Sequence, residues 1–147
     1  MDFTEAAQRI AVVSETRTWI NTPYMPRTGV KGVGCDCAYL LIRVFVSCGI
    51  VKPFKVGYYK AGLALLREGE QMYRGILKKI ARPIEGRDPI PGDIVLFKFA
   101  KATHGGIVTQ WPMMIHAFDP LRRVVASDVT DPYFWKRVDS IWSAWAK

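Results

Sequence analysis

The sequence predicts an α+β fold, with helices in the first half and an antiparallel sheet in the second. Three observations carry this. Up to about Ile80 the apolar residues recur at helical spacing or form one long apolar run. Beyond Asp93 the period shortens: "DIVLFKFA", "HGGIVTQ", "MMIHAF" and "RRVVASDV" are brief runs separated by turn signals. Between the halves lies "RPIEGRDPIPGD", a connector rich in proline and glycine. At 147 residues the chain suits one domain, residues 1–147.

Taken in order, Asp2 or Thr4 can cap a first helix running to about Ile20, with Ala6, Ile10, Val13 and Ile20 as its apolar stripe. "NTPYMPRTGVKGVG" follows as an ordered loop. Asp36 reads as the N-cap of a second helix, about Cys37 to Cys48, stopped at Gly49. That helix is apolar nearly all round and should be central and buried. About Tyr58 to Ile80 is helical in composition, with interruptions at Gly62 and Gly69. After the sheet strands, Asp131 to Ala146 reads as a short terminal helix whose aromatics pack on the core.

Composition narrows the function classes. With 50% hydrophobic and 12% aromatic residues the chain is globular and not disordered. No apolar run reaches the ~20 residues of a membrane span. The opening "MDFTEAAQRIAVV" lacks the basic and apolar regions of a secretory signal, so synthesis in the cytoplasm is expected. A net charge of +8 favours anionic partners, but no nucleic-acid-binding motif accompanies it. Three cysteines without a signal argue against a disulfide framework. Their C-x-C-x10-C spacing could supply zinc ligands, but it lacks the usual knuckle and the histidines lie far downstream, so a zinc-binding module is a distant third reading; the thiol chemistry set out below requires no metal and no cofactor.

The chemistry gathers at Cys37. The first turn of a helix offers unpaired N–H groups and about half a positive charge, which stabilises a thiolate there. Cys35 sits in the loop and Cys48 at the opposite helix end. The only histidines are His104, in "THGGIV", and His116, in "MMIHAF". A turn at Trp111-Pro112 would make the two strands a hairpin. In an unbulged hairpin centred near Gln110 or Trp111 the two rings would share a face, opposite or one diagonal apart. One could take the thiol proton while the other orients it, the logic of nucleophile, base and orienting group. The alternative is that Cys37 is a small buried hydrophobe and the histidines fill strand positions.

"GCDCAYLL", "PGDIVLF", "HGGIV" and "MIHA" together resemble the NlpC/P60 peptidases, a branch of the papain-like cysteine hydrolases, over about Asn21 to Ala117. More narrowly, "TPYMPRTGVKGVGCDC" is similar to cell-wall peptidases encoded with the tail genes of phages and gene transfer agents. The resemblance implies Cys37 as nucleophile, His104 as general base and His116 as the third polar residue. It implies Tyr24 near the oxyanion or substrate, and Asp36 near the substrate's amino end. It implies a thiol peptidase acting on peptidoglycan stem peptides, of the γ-D-glutamyl-diaminopimelate type. The protein would be carried by a phage tail or phage-like particle, with tail-tip or baseplate proteins as neighbours, and would act in the periplasm or cell wall. The family usually has serine and glycine after the cysteine, where this chain has Ala38 and Tyr39. That departure keeps open a structural tail-tip protein with the same fold and reduced or no activity.

Overall fold

A computed structural model describes residues 1–59, 67–100 and 102–147, with residues 67 and 68 described by backbone alone. Its α+β architecture is as expected: helices lie against a six-stranded antiparallel sheet. The helices are α1 (Phe3–Arg17), α2 (Cys37–Ser47), α3 (Arg67–Ile80) and the single turn α4 (Pro132–Trp135). The strands β1 (Gly29–Val30) and β2 (Gly34–Cys35) form a small ribbon. The main sheet comprises β3 (Arg82–Ile84), β4 (Ile94–Phe99), β5 (Ala102–Gln110), β6 (Met113–Phe118), β7 (Arg123–Asp128) and β8 (Val138–Ser143), in the order β3-β8-β4-β5-β6-β7.

Helix α2 is built as its sequence reads. The Asp36 side chain accepts from the Tyr39 N–H, and Cys48 and Gly49 (φ +72°) close the C-terminal end. Leu40, Leu41, Val44 and Phe45 are fully buried. They pack on the sheet face that carries Ile94, Leu96, Ile107 and Ile115. The opposite face carries a second cluster, with Val95, Phe97, Met114 and Phe134. Strands buried on both faces explain why β4 reads as a continuous apolar run and not as an alternation.

Several elements differ from the sequence expectation. Helix α1 ends at Arg17, and its buried face is Arg9, Val12 and Thr16, while Ile10 is exposed. The reason is a charged residue at a core position. Arg9 donates to Asp93 (2.9 Å) and to the Pro91 carbonyl (2.8 Å), and its guanidinium lies 4.1 Å from the Trp145 ring centre. Asp93 is fully buried and also accepts from Arg87 (2.7 Å) and the Ile90 N–H (2.9 Å). The "PGD" turn is therefore a buried ion-pair anchor between α1, the connector and the end of the sheet. Gly92 in it has φ +92°, and a Cβ there would press on the Trp145 ring.

The expected terminal helix is largely a strand. Only Pro132–Trp135 is helical, and β8 then inserts between β3 and β4. Ser143 pairs with Arg82, and Trp142 pairs with both Pro83 and Ile94. Aromatic and β-branched residues suit such a pleated, half-buried position, and this outweighed the helical reading. Strand β3 falls inside the expected connector, on the sheet edge, where Pro83 is tolerated. Helix α3 runs through Gly69 without a break. Tyr58 and Tyr59 precede it in irregular backbone, and the expected interruption at Gly62 lies outside the described residues.

Candidate active site

Cys37 opens α2, and β5 and β6 hold His104 and His116. Cys37, His104, Tyr24 and Asp36 line one cavity of about 420 Å³, whose wall also includes Tyr73 and Arg122. His116 lies behind His104, fully buried.

The hairpin brings the histidines together by a route that differs from the unbulged one. At the turn, Gln110 pairs with Met113. Continued without interruption, that register would set His104 level with Asp119 and turn His116 to the other face. Thr109 instead bulges out, and Val108 pairs with Met114, Ile107 with Ile115. Extended, the shifted register puts His104 level with Phe118 and His116 level with Gly106, one diagonal apart on one face. His104 Nε2 lies 2.7 Å from His116 Nδ1. His116 Nε2 lies 2.8 Å from the Ser127 hydroxyl on β7. The rings sit among Phe97, Phe118 and Phe134. Gly106 leaves the space that Met114 Sδ and His116 Cβ occupy.

His104 Nδ1 makes no hydrogen bond among the described residues, and no buried side-chain nitrogen or oxygen there lacks a partner. With Nε2 committed to His116, Nδ1 is the nitrogen that opens on the cavity shared with Cys37. The thiol and the ring make no direct hydrogen bond to one another among the described residues.

Electrostatics correct the expectation of a preformed thiolate. Burial, and after it the neighbouring Asp36 carboxylate, push the Cys37 thiol well above its ordinary range. Burial lowers His104 to about 4, and burial with the adjoining ring pushes His116 down as well. The resting site is thus a neutral thiol beside neutral imidazoles. The backbone N–H at the helix start lowers the thiol, but burial and Asp36 outweigh it.

These histidines make stability depend on pH. In the unfolded chain they titrate near 6.5; in the folded protein they stay neutral to about 4 or below. Between those values the unfolded state binds more protons, so stability is full above about pH 6.5 and is lost as pH falls towards 4. One such histidine contributes a slope of up to about 1.4 kcal/mol per pH unit. Thermal unfolding followed from pH 7 to 4.5 should show a steeper fall in Tm for the wild-type protein than for His116→Gln. Parallel curves would contradict the buried, neutral assignment.

The remaining residues fall into place around Cys37. Asp36 is consumed by the protein: Oδ1 caps the Tyr39 N–H at 2.8 Å, and Oδ2 accepts from the Arg27 N–H at 2.8 Å and from the Tyr59 hydroxyl. It anchors the loop over the helix start while still lining the cavity. Tyr24 is held by its N–H to the Arg122 carbonyl (2.9 Å) and by a bridge to Cys35. Burial, then Cys37, push its phenol upward, so it stays a neutral donor. Tyr39 turns aside, packing against Gly29 and Arg43, and the described cavity wall does not include it. The Ala38-Tyr39 departure therefore leaves the cavity floor to Ala38.

Sequence reasoning missed Tyr73 and Ser127. Tyr73, fully enclosed on α3, donates to the Cys37 carbonyl at 3.2 Å. A Cβ on Gly105 would collide with its hydroxyl, so the second residue of "HGG" makes room for it. Cys35, Cys37 and Cys48 are free thiols. Among the described residues no three His, Cys, Asp or Glu side chains group as a metal ion would need.

Comparison with known proteins bears on the family and the fold. The NlpC/P60 family model matches residues 22–143, most of the chain. The chain belongs to the NlpC/P60 family. Solved NlpC/P60 structures share its fold. The NlpC/p60 domain of peptidoglycan hydrolase SagA is 20% identical, with a TM-score of 0.63 over 92% of this chain and 97% of that one. The P60 domain of antigen MAP1204 from M. avium subspecies paratuberculosis is 16% identical, with a TM-score of 0.64 over 95% and 96%. A Staphylococcus aureus Mu50 protein of the NLP/P60 family, described as similar to lipoprotein, is 16% identical with a TM-score of 0.68. All of this chain aligns there, spanning 43% of the longer protein. Comparison with curated proteins finds no matching sequence. Among the described residues, no helix of this NlpC/P60 chain is long and apolar enough to cross a membrane.

Proposed function

We propose that the protein is a cysteine peptidase that hydrolyses amide bonds in peptidoglycan stem peptides, with Cys37 as nucleophile and His104 as its base. The observation that carries this is the cavity itself. It holds a helix-start thiol and an imidazole whose other nitrogen is tied to a second imidazole. Family membership supports it, as does the peptidoglycan hydrolase described for the SagA domain.

In the proposed reaction a substrate amide enters the cavity and its carbonyl carbon approaches Cys37 Sγ. Thiol and imidazole are both neutral at rest, so proton transfer to His104 Nδ1 accompanies attack and does not precede it. The backbone N–H of Cys37 and the neutral Tyr24 phenol are the donors for the developing oxyanion. Protonated His104 then gives its proton to the leaving amine, and water, deprotonated by the same ring, releases the acyl group from sulfur. His116 holds His104 in place through Nε2. Asp36, Asp119 and Arg122 are the charged groups on the described cavity lining, with Arg122 paired to Asp119. The bond we assign is of the γ-D-glutamyl-diaminopimelate type, on the strength of the motif resemblance. Incubation with purified sacculi should release soluble peptide-bearing fragments, and Cys37→Ala should release none. Equal release by both would end the proposal.

Delivery follows from the narrower likeness of "TPYMPRTGVKGVGCDC" to peptidases encoded with phage tails and gene transfer agents. We place the protein in such a particle, made in the bacterial cytoplasm, with tail-tip or baseplate proteins as neighbours, opening the wall during penetration. The +8 charge suits an acidic neighbour or an anionic envelope. Proteomics of purified particles should find the chain in the mature particle. Its presence only free in lysates would shift the role to lysis.

A further inference from the structure

The hydrogen-bond chain does not stop at the second histidine. His116 Nε2 reaches the Ser127 hydroxyl at 2.8 Å, and His116 Nδ1 reaches His104 Nε2 at 2.7 Å. Ser127 sits on the edge strand β7, one diagonal from His116, whose own pair is Val125. His116 is fully buried, whereas Ser127 is half-buried and open to water on one side.

A chain of this kind has two self-consistent proton patterns. In one, Ser127 donates to His116 Nε2, His116 Nδ1–H donates to His104 Nε2, and His104 carries its proton on Nδ1. The nitrogen facing the cavity is then a donor and cannot accept the thiol proton. In the other, His116 Nε2–H donates to Ser127 Oγ and His104 Nε2–H donates to His116 Nδ1. His104 Nδ1 is then a bare lone pair on the cavity. The second pattern puts both rings in the Nε2–H form, which a neutral imidazole side chain intrinsically prefers. It also leaves the Ser127 O–H free to turn to the water it can reach, so every donor in the chain has a partner.

We propose that Ser127 is a positioning residue that acts as a hydrogen-bond acceptor and, through His116, holds His104 in the tautomer whose Nδ1 can accept a proton. The inference rests on the peptidase reading for its consequence but not for its measurement. The tautomer is a ground-state property, readable in protein that has never met substrate.

Long-range ¹H–¹⁵N spectra of histidine-labelled protein at pH 7.5 report which ring nitrogen is protonated. Wild-type protein should show Nε2–H and bare Nδ1 on both His104 and His116. Ser127→Ala should scramble or invert that pattern at His116 and His104, and Ser127→Thr should restore it. With peptidoglycan substrate, Ser127→Ala should lower kcat by roughly tenfold with little change in KM, since a buried nitrogen loses its partner and the base is in the wrong form for part of the time. Ser127→Thr should recover most of the rate. Protonated Nδ1 on His104 in the wild type overturns the proposal, and so does a Ser127→Ala variant with wild-type tautomers. Expected spectra in a protein that cleaves no stem peptide would leave the tautomer assignment standing and count against the peptidase reading alone.

Discussion

Replacing Cys37 by alanine should reduce peptidoglycan cleavage by roughly 10⁴-fold or more, because only binding and oxyanion contacts would remain. The expectation is specific to one thiol of three. Cys48 caps the far end of α2, in the negative half of the helix dipole, and is outside the described cavity wall. Cys35 is fully buried in the β1–β2 ribbon, where its backbone is paired with Gly29 and bonded to Met25 and Pro23. Cys35→Ala and Cys48→Ala should therefore keep most of the rate, with Cys35→Ala losing some stability. His104→Ala should lose roughly 10²- to 10⁴-fold, the contribution of a positioned base. Rates are compared on variants whose circular dichroism and Tm show an intact fold. An inactive Cys35→Ala beside an active Cys37→Ala would place the nucleophile elsewhere.

The largest stability effect should come from Arg9, remote from the cavity. Arg9→Met removes the better buried of the two cations that hold the fully buried Asp93 carboxylate, as well as the ring contact with Trp145. Breaking a buried pair by removing one member costs about 3–5 kcal/mol, since the remaining charge stays desolvated. Arg87 is partly exposed and holds the other side of Asp93, so the lower end of that range is expected. About 3 kcal/mol in a chain of this size lowers Tm by roughly 10 °C. The double variant Arg9→Met/Asp93→Asn should be less destabilised than Arg9→Met, because it no longer buries an under-compensated charge. A Tm for Arg9→Met within about 2 °C of wild type would show that the pair is not an anchor.

That anchor also marks where the sequence was legible and where it was not. Helix α2 and its cap could be read because everything that makes them is local: Asp36 before an apolar run, Gly49 after it. The placement of Cys37 at a helix start followed. Arg9 could not be read as a core residue, because its burial depends on Asp93 and Trp145, far along the chain. The same holds for Tyr73 and Ser127, whose roles exist only once α3 and β7 are docked. The common face of His104 and His116 was anticipated, yet through an unbulged hairpin. The actual turn needs the extra residue Thr109 to bring them into phase, and no local signal distinguishes it. Strand β8 is not legible as a strand because Ile141 and Trp142 signal burial without a period, and the aromatics before it mislead: Tyr133 and Trp135 are exposed on the single turn α4 and do not pack into the core. The thiol's ionisation is hidden from the sequence for a related reason. The helix start is visible in sequence, whereas the burial that overrides it is not.

Cleavage of defined muropeptides is the most direct measurement of what Cys37 does. Purified wild-type protein is incubated with stem peptides containing a γ-D-glutamyl-diaminopimelate bond, and the products are identified by mass spectrometry. Two fragments should appear whose masses correspond to addition of one water across that amide, and they should be absent with Cys37→Ala. Intact muropeptides after prolonged incubation with correctly folded wild-type protein, or the same fragments from Cys37→Ala, would contradict the peptidase reading.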